Sequence, residues 1–444
     1  MNIERPFYVR QLKDRMHNGM IKVVTGVRRG GKSYLLFELF RRELLNSGVD
    51  PEHIIGLELD MRSSEKYRDP DALLAFIADR MRGDGMHYIF LDEVQMLRDF
   101  SSVLNEFLHY RNADVYVTGS NSKFLSSDVL TEFRGRGDEV RIHPLSFAEF
   151  AEAVGSGLVL DRAREASFDE PLPEVAHARL LGVLKSFLIV GGMPAAVLRY
   201  VETGSYLAAQ REQDDILVSL KDDFGKYKTR ISPDVVRRAL TAVARQTCEK
   251  FVYTDSALGL KYAQTKNAVE LLERARIVLA ADCTRAGGIP LGGDVNEKSR
   301  KCMLLDTGLY LRESGLDMPE WATDPPERFV NRGKLAEMFA GLELKKSGSP
   351  LSDNRLFYWH REAKDANAEV DYVVQLGDEI LPIEVKSGKR GTMKSLGILM
   401  REKGLRRAVR TSEENFGRIA GGAICVLPLY FVGELDRFLL DSAP

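Results

Sequence analysis

The sequence is poor in cysteine and histidine, and neither residue is grouped. Its four cysteines, Cys248, Cys283, Cys302 and Cys425, include no C-x-x-C pair, and its seven histidines show no spacing typical of metal ligands. Cysteines scattered in this way argue against both a disulfide framework and a zinc site. Scattered cysteines fit the reducing cytoplasm, which is therefore the predicted location.

The sequence also lacks a large net charge and a long apolar run. Lys and Arg number 63 against 65 Asp and Glu, which gives a formal net charge of −2 at pH 7. No global basic field therefore draws the protein onto nucleic acid or anionic lipid, and any contact with DNA has to come from a local patch. The N-terminus is charged, and the longest apolar stretch is broken by Gly191, Gly192 and Pro194. The sequence thus predicts no membrane partner.

The length of 444 residues exceeds one ordinary domain of roughly 150 residues, so several domains are expected. In the first third, β-rich runs at 21–25, 54–59, 88–91, 115–118 and 140–142 alternate with segments of helical apolar spacing. This alternation is typical of an α/β fold in which helices cover a parallel sheet. Ligands of such sheets bind beyond the carboxyl ends of the strands, so the residues that follow each strand are candidates for chemistry.

A glycine-rich motif follows the first predicted strand and directly precedes a helical run. It matches G-x-x-x-x-G-K-S, and with the next residue it comprises Gly26, Val27, Arg28, Arg29, Gly30, Gly31, Lys32, Ser33 and Tyr34. Glycines let main-chain N–H groups and the helix N-terminus point at phosphate oxygens. Lys32 would supply charge to the β and γ phosphates, and the Ser33 hydroxyl would reach Mg²⁺. The motif therefore predicts a binding site for ATP with Mg²⁺.

Two adjacent carboxylates end the third predicted strand. Asp92 and Glu93 follow the apolar run 88–91. In a protein with a phosphate-binding loop, Asp92 would orient the Mg²⁺ shell and Glu93 would polarise the attacking water. The alternative is a pair of solvated carboxylates that cap the next helix, an ordinary role for Asp-Glu after a strand. Beside an intact phosphate loop we favour ATP hydrolysis, with Lys32, Asp92 and Glu93 as catalytic residues.

Polar residues after the fourth strand complete the predicted site. Ser120 or Asn121 would hold the lytic water beside the γ-phosphate, although Gly-Ser-Asn is also an ordinary turn and N-cap signal. Farther on, Arg134 and Arg136 precede the fifth strand. One of them, with Arg136 preferred, would reach into the site of a neighbouring subunit and neutralise charge on its γ-phosphate. The alternative for this pair is ordinary solvent exposure.

The middle of the chain predicts helices followed by a winged helix. Segments 174–190 and 204–221 have helical apolar spacing. Two more helices, at 233–245 and 263–275, precede a strand at 277–280 and a glycine-rich turn, which is the order of a winged-helix domain. The second of these helices mixes acidic and basic side chains, so contact with another protein is an alternative to DNA binding.

The C-terminal part places carboxylates around a lysine. Two alternating runs joined by a short turn predict a β-hairpin in which Glu384 and Lys386 share a face and Asp371 approaches from the partner strand. Glu337, in a predicted helix upstream, completes the set. The D…E-x-K pattern with a helical glutamate resembles the restriction-endonuclease-like superfamily, in which such residues hold a divalent metal and cut phosphodiesters. Three alternatives stay open: an active nuclease, an inactive relic and a buried ion-pair network.

Taken in order, the motifs resemble those of one family. The segments TGVRRGGKS, YIFLDEVQ, VTGSNSKFLS, GRG, HPLSFAEF, VGGMP, EVDYVV and IEVKSG are similar to those of bacterial and archaeal AAA+-type ATPases with a C-terminal domain of unknown function. The resemblance implies a P-loop AAA+-type ATPase domain at 1–150, a helical segment at 151–225, a winged-helix domain at 226–325 and a restriction-endonuclease-like domain at 326–444. In the helical segment, Arg199 is a weak candidate for the sensor-2 arginine of better-studied AAA+ proteins.

Together these motifs predict an α/β protein that hydrolyses ATP with Mg²⁺ in a homo-oligomeric ring, with a hexamer favoured and an arginine supplied in trans. Hydrolysis would move the winged-helix and nuclease-like domains on a partner, for which DNA is a candidate. Two alternatives are an ATP-regulated, metal-dependent DNA nuclease and a slow nucleotide-gated signalling switch or scaffold.

Overall fold

The computed structural model describes residues 3–120, 137–227, 231–316, 333–348, 354–361, 367–386 and 393–440. These residues belong to two compact units. The first unit comprises Met1–Pro144, Ser219–Pro233 and Arg274–Arg276, and the second comprises Leu145–Val218, Asp234–Glu273 and Ile277–Pro444. The first unit therefore holds the predicted phosphate-binding loop, and the second holds the predicted nuclease-like residues.

A five-stranded parallel sheet forms the centre of the first unit. Its strands are β1 Ile21–Gly26, β2 Ile54–Glu58, β3 His87–Asp92, β4 Ala113–Ser120 and β5 Gly137–Ile142. They lie in the order β2-β3-β4-β1-β5, and all neighbouring strands are parallel. β1 and β3 are buried at every residue, as expected of inner strands that are covered on both faces. The predicted α/β fold with a parallel sheet is confirmed.

Helices pack on both faces of this sheet. Their bounds are Pro6–Lys13, Lys32–Tyr34, Arg41–Asn46, Pro70–Arg80 and Phe100–Phe107, and a π-helical stretch, Leu35–Phe40, joins the second of these to the third. On one face, Ile89 of β3 packs in a core with Leu104. On the other face, Phe90 of β3 packs in a second core with Phe40. Successive residues of β3 thus point into opposite cores, which is why this strand has a continuous apolar sequence.

A buried ion pair joins two strands of this sheet. Lys22 of β1 and Asp114 of β4 form a salt bridge, and their side chains are 0% and 3% exposed. The Asp114 carboxylate also accepts hydrogen bonds from the Tyr116 hydroxyl, at 2.7 Å, and from the main-chain N–H of His17, at 3.2 Å. Burial of a charge is costly unless such partners compensate for the lost water, so removal of either charge would leave the other uncompensated at the centre of the sheet.

An eight-stranded mixed sheet runs through the second unit. Its strands are β6 Val278–Thr284, β7 Val295–Leu304, β8 Leu356–Arg361, β9 Ala368–Leu376, β10 Glu379–Val385, β11 Ala408–Ser412, β12 Gly417–Ile419 and β13 Ile424–Pro428. Their order is β12-β13-β11-β10-β9-β8-β6-β7. β6 and β7 form an antiparallel hairpin, and β6 also pairs in parallel with β8. The predicted winged-helix domain ends at residue 325 and the predicted nuclease-like domain begins at residue 326. Strands from both predicted domains therefore share one sheet.

The remaining described helices belong wholly or mainly to the second unit. Their bounds are Phe147–Ala153, Gly157–Glu165, Glu174–Val190, Pro194–Thr203, Tyr206–Asp223, Pro233–Arg245, Tyr262–Arg274, Thr307–Glu313, Gly333–Ser347, Lys394–Lys403 and Leu435–Leu440. Two of them, Pro233–Arg245 and Tyr262–Arg274, precede the β6–β7 hairpin in the order expected of a winged helix, but this hairpin is part of the larger sheet. The winged-helix assignment and the bounds of the four predicted domains stay predictions. None of the helices in the described ranges has the length and apolar character that a membrane span requires.

Replacement of Asp114 tests how far the first unit depends on its buried ion pair. We expect Asp114→Ala to lower the free energy of unfolding by about 3–5 kcal/mol, because the buried Lys22 ammonium loses its counter-ion. The matched control is Glu43→Ala, which removes the exposed pair with Lys13 and should cost less than about 1 kcal/mol. Urea unfolding followed by circular dichroism measures both variants. Equal and small losses would contradict the prediction.

Candidate functional site

The glycine-rich motif forms a tight loop between β1 and the helix that follows it. Gly31 has a φ of 92°, in the left-handed region that favours glycine. A Cβ at Gly26 would lie 2.8 Å from a carbonyl oxygen of β5, and one at Gly30 would lie 2.9 Å from the carbonyl oxygen of Val27. Both contacts are closer than a side chain tolerates. The loop therefore depends on glycine at three positions, as expected where a backbone closely approaches phosphate.

Lys32 lies inside this loop. Its side chain is buried, and Nζ donates hydrogen bonds to the carbonyl oxygens of Gly26, at 3.3 Å, and Val27, at 3.1 Å. Burial lowers the pKa of the Lys32 ammonium, while the charges of Glu93 and Asp92 oppose that shift. The ammonium is thus held by neutral carbonyl groups in a loop whose N–H groups suit an anion.

Both oxygens of the Asp92 carboxylate are held by hydroxyl groups. Ser33 Oγ donates a hydrogen bond to Oδ2 at 2.8 Å, and Thr118 Oγ1 donates one to Oδ1. The same Thr118 oxygen accepts the main-chain N–H of Glu93 at 3.1 Å. Asp92 is 3% exposed, so these contacts fix its position. They connect the phosphate loop, β3 and β4 at the carboxyl edge of the sheet, where ligands of parallel sheets bind.

The Ser33 and Asp92 oxygens suit a magnesium ion. Mg²⁺ prefers oxygen ligands and is usually bound through one or two carboxylates together with substrate phosphates. The Ser33 hydroxyl belongs to the phosphate loop and lies within hydrogen-bond distance of the Asp92 carboxylate. This donor set fits the Mg²⁺ ligands that the sequence predicts.

Glu93 has a backbone conformation that few residues other than glycine adopt. Its φ is 50°, in the left-handed region, and such conformations are concentrated at functional sites. The Glu93 carboxylate accepts a hydrogen bond from the side-chain amide of Gln95. Glu58, at the end of β2, pairs in register with Asp92, and burial together with the Asp92 charge raises its pKa. Three carboxylates therefore lie at this edge of the sheet: Glu58 ends β2, Asp92 ends β3 and Glu93 follows Asp92.

Two of the groups at this edge, Thr118 and Glu58, were not predicted from the sequence. Thr118 lies inside the run 115–118, where threonine is an ordinary strand residue. Glu58 lies in the run 54–59, which carries no recognised motif. Their position could have revealed them, because polar residues near the carboxyl ends of parallel strands lie at the edge where ligands bind.

Several predicted residues stay untested by the described part of the chain. Ser120 ends β4, where its backbone pairs with that of Gly26, but its side chain is outside the described atoms. Asn121, Arg134 and Arg136 lie outside the described residues. Arg199 is half-exposed and forms ion pairs with two glutamates of the second unit. The predicted roles of these residues stay predictions.

An ion pair reaches the phosphate loop from the segment Ser219–Pro233. Arg28 Nη1 lies 2.8 Å from Oδ1 and 2.9 Å from Oδ2 of Asp223, the last residue of the helix Tyr206–Asp223. Lys226 Nζ lies 2.7 Å from the same carboxylate. Against the effect of burial, Lys226 and Arg28 lower the pKa of Asp223. A charged loop residue is thereby fixed to the end of a long helix.

A second ion pair reaches the strand that leads into the loop. Arg276 Nη2 donates to Glu139 Oε1 at 2.8 Å, and Thr25 Oγ1 donates to the same oxygen at 2.6 Å. Against the effect of burial, Arg276 and Thr25 lower the pKa of Glu139. Thr25 directly precedes Gly26, so this contact lies one residue before the glycine-rich motif.

The second unit contains a cluster of buried and part-buried acidic side chains that includes the acidic residues of the predicted nuclease site. Glu384 Oε1 lies 2.5 Å from Lys386 Nζ, and Asp371 Oδ2 accepts the main-chain N–H of Val385 at 2.8 Å. Glu337 comes from the helix that precedes β8. Burial, reinforced by the Asp371 charge, raises the pKa of Glu337 to about 8 and that of Glu384 to about 7. The structure thus brings the four residues close enough for their charges to interact.

A lysine that the sequence motifs did not reveal belongs to this cluster. Lys301 of β7 is 1% exposed, and its Nζ lies 2.7 Å from Glu337 Oε1 and 2.6 Å from Glu369 Oε1. Although burial opposes the shift, the charges of Glu337 and Glu369 raise the pKa of Lys301. Within the described ranges, no group of three or more His, Cys, Asp and Glu side chains has an arrangement that could hold a metal ion.

Comparison with known proteins supports the interpretation of the first unit as a nucleotide-binding domain. Residues 18–151 match the family model of an AAA domain, and residues 182–320 and 332–431 each match a domain of unknown function. An uncharacterised protein from Haemophilus influenzae is 25% identical over 391 residues, which cover 86% of this chain and 86% of that protein. One from Methanocaldococcus jannaschii is 28% identical over 193 residues, which cover 43% of this chain and 39% of that protein.

Two solved structures are also similar in part. A Walker-type ATPase of Pyrococcus abyssi is 16% identical with a TM-score of 0.43, and the match covers 70% of this chain and 96% of that chain. The Orc1 protein of Aeropyrum pernix in complex with DNA is 12% identical with a TM-score of 0.27, over 72% of this chain and 94% of that chain. The family match over residues 18–151, together with the phosphate loop and the parallel sheet, supports an AAA+-type nucleotide domain in the first unit.

Proposed function

We propose that this chain is an AAA+-type ATPase that hydrolyses ATP in the presence of Mg²⁺. The observation that carries the proposal is the Asp92 carboxylate, which is bonded to Ser33 of the phosphate loop and to Thr118 of β4. These bonds place the glycine-rich motif and the acidic motif at the edge of the sheet where ligands of parallel α/β sheets bind. A chance glycine-rich turn gives no reason for the two motifs to meet in this way.

Each group has a distinct role in the proposed reaction. The main-chain N–H groups of the loop and the Lys32 ammonium would bind the phosphates of ATP. Ser33 and Asp92 would hold Mg²⁺, which neutralises charge on the β and γ phosphates. Glu93 would accept a proton from the water that attacks the γ-phosphorus. The bond to the bridging oxygen then breaks, and ADP leaves with that electron pair while the γ-phosphoryl group becomes inorganic phosphate.

The proposal includes a homo-oligomeric ring, with a hexamer favoured. Arg136, or Arg134 in its place, would come from a neighbouring subunit and stabilise the negative charge of the transition state. Arg136 directly precedes β5, the edge strand beside β1, and this position along the chain supports the assignment. Ser120 or Asn121 would hold the lytic water.

Hydrolysis would be transmitted through the two later segments of the first unit. The helix Tyr206–Asp223 lies mostly in the second unit, and its last residue binds Arg28 of the phosphate loop. Arg276 binds Glu139, a partner of the residue that precedes the loop. A loop that changes when the γ-phosphate leaves would alter both contacts, which gives a physical route from the nucleotide to the rest of the chain.

The partner on which the protein acts is proposed to be another protein, with DNA as the second candidate. In the helix Tyr262–Arg274, Lys266 lies 4.0 Å from Glu270, and Glu273 lies 2.9 Å from Arg300 of β7. Basic side chains that are paired with carboxylates in the same molecule contribute less to phosphate binding, which favours the protein partner. A slow nucleotide-gated switch or scaffold is the competing function, and the rate of ATP turnover separates the two.

Two substitutions test the nucleotide site. Lys32→Ala should abolish ATP binding, because it removes the buried ammonium that would contact the β and γ phosphates. Glu93→Gln should keep ATP binding and lower turnover by about 10²–10⁴-fold, because an amide does not accept the proton from water. Binding is measured with a fluorescent ATP analogue and turnover by phosphate release, both with Mg²⁺ present.

The matched control for Glu93→Gln is Glu106→Gln. Glu106 is exposed on the helix Phe100–Phe107 of the same unit, so its replacement should leave binding and turnover unchanged. Normal turnover in both Lys32→Ala and Glu93→Gln would remove the ATPase proposal. Tight binding with very slow turnover in the unsubstituted protein would favour the switch.

Mixing of variants tests the proposed arginine in trans. Arg136→Ala should lower turnover by about 10³-fold or more, because an arginine in trans contributes that much to phosphoryl transfer. Addition of Glu93→Gln subunits should partly restore turnover, since each variant supplies the residue that the other lacks. Phosphate release is measured over a range of mixing ratios, and light scattering follows assembly. A protein that stays monomeric with ATP at every concentration would contradict the ring.

Asp223→Ala tests the contact between the loop and the helix end. We expect the main-chain amides of residues 27–31 to exchange hydrogen about tenfold faster, because Arg28 loses charged hydrogen bonds worth on the order of 1.5 kcal/mol. The matched control is Asp222→Ala, which removes the neighbouring exposed carboxylate and should change nothing. Hydrogen exchange measured by mass spectrometry compares the two. The same exchange rate in both variants would show that Asp223 does not fix the loop.

A further inference from the structure

The acidic cluster of the second unit, defined by Glu337, Glu369, Asp371 and Glu384, contains a cation of its own. Lys301 Nζ lies 2.7 Å from a Glu337 oxygen and 2.6 Å from a Glu369 oxygen. Its charge also acts on Asp371 and Glu384, and in both cases it favours the ionised carboxylate. One ammonium group therefore interacts with all four carboxylates, as a bound metal ion would.

The position of Lys301 is fixed by its strand and by the burial of its side chain. It lies within β7, opposite Ala281 of β6, and is 1% exposed. Its Nζ lies 5.1 Å from the centroid of the Tyr358 ring, and the Tyr358 hydroxyl is hydrogen-bonded to Ser299 at 2.7 Å. A buried ammonium that left these partners would need new ones, because an unpaired charge is costly inside a protein.

A second ammonium group pairs with Glu384 of the cluster. Lys386 Nζ lies 2.5 Å from Glu384 Oε1, and Glu384 is 5% exposed. The other oxygen of this carboxylate, Oε2, is buried and has no hydrogen-bond partner among the described residues. A buried oxygen of this kind is normally satisfied by a donor or a metal ion. Glu384 Oε2 can therefore accept one further hydrogen bond, whereas Lys301 and Lys386 already supply the cations of the cluster.

We propose that Lys301 fills the cation position of the acidic cluster, so that a tethered ammonium neutralises the carboxylates that would hold a divalent metal ion in a nuclease. Metal-dependent cutting requires carboxylates that are available to bind the ion, polarise the phosphodiester and position water. Here two of the four carboxylates are bound by Lys301 and a third by Lys386. A lysine in the same chain is always present at its site, whereas a metal ion has to compete for it from solution.

The proposal gives the cluster a structural role. Glu337 comes from the helix Gly333–Ser347 and Asp371 and Glu384 from β9 and β10, whereas Lys301 comes from β7. The ammonium therefore joins the β6–β7 hairpin to the helix and strands that carry the predicted nuclease residues. In this arrangement the unsubstituted protein neither takes up a divalent ion at the cluster nor cuts DNA there.

Uptake of Mn²⁺ by the full-length chain, without nucleotide, tests the proposal. The unsubstituted protein and Asp371→Asn should bind the same number of Mn²⁺ ions in a titration followed by electron paramagnetic resonance. Lys301→Met should bind one additional ion per chain, because its carboxylates lose their internal cation and can rearrange around a metal ion. Lys301→Met with Asp371→Asn should lose that ion. Lys298→Met, on an exposed position of the same strand, is the matched control and should bind no additional ion.

Two results would overturn the proposal. The first is Mn²⁺ uptake, or cutting of plasmid DNA with Mg²⁺ or Mn²⁺, by the unsubstituted protein that Asp371→Asn removes. The second is a folded Lys301→Met variant that binds no additional ion. If Lys301→Met does not fold, the comparison of the unsubstituted protein with Asp371→Asn and Glu384→Gln still decides the question. None of these readouts depends on ATP hydrolysis, so failure of the proposed ATPase leaves them intact.

Discussion

The hydrogen bonds to the Asp92 carboxylate are the interaction on which the nucleotide site depends. A carboxylate that is 3% exposed is costly to bury, and here the hydroxyls of Ser33 and Thr118 compensate for the lost water. Because one hydroxyl belongs to the loop after β1 and the other to β4, the two bonds fix three strand ends relative to each other. The two hydroxyl groups are neutral. Ser33 can therefore exchange its hydrogen bond to Asp92 for a bond to a metal ion without breaking an ion pair.

Lys32 and Lys301 are both buried, but they differ in how completely their charges are neutralised. Lys32 is bonded to carbonyl groups, and burial lowers its pKa, so its charge is under-compensated and suits a phosphate. Lys301 is bonded to two carboxylates that raise its pKa, so its charge is already matched within the protein. The same residue type is therefore suited to ligand binding in one place and to internal pairing in the other.

The sequence predicts those features whose chemistry is local. The phosphate loop is recognisable because glycines, lysine and serine have fixed spacing, and the parallel sheet is recognisable because apolar strands alternate with helices. Thr118, Asp223 and Lys301 escape such reasoning because each acts on a residue that is distant in the chain. Lys301 is part of a strand in one predicted domain and pairs with carboxylates of the next, so the position of β7 in the eight-stranded sheet had to be known. The roles of Asn121 and Arg136, by contrast, stay predictions of the motifs.

The shared sheet has a consequence for how this protein can change by recombination. Residues 182–320 and 332–431 match separate family models, yet β6 of the former pairs with β8 of the latter. A strand that loses its neighbour exposes unpaired main-chain groups along its edge. Exchange of either segment alone would open the sheet and also separate Lys301 from Glu337. The two segments therefore form one structural unit, which we expect to be inherited whole, although sequence comparison divides it.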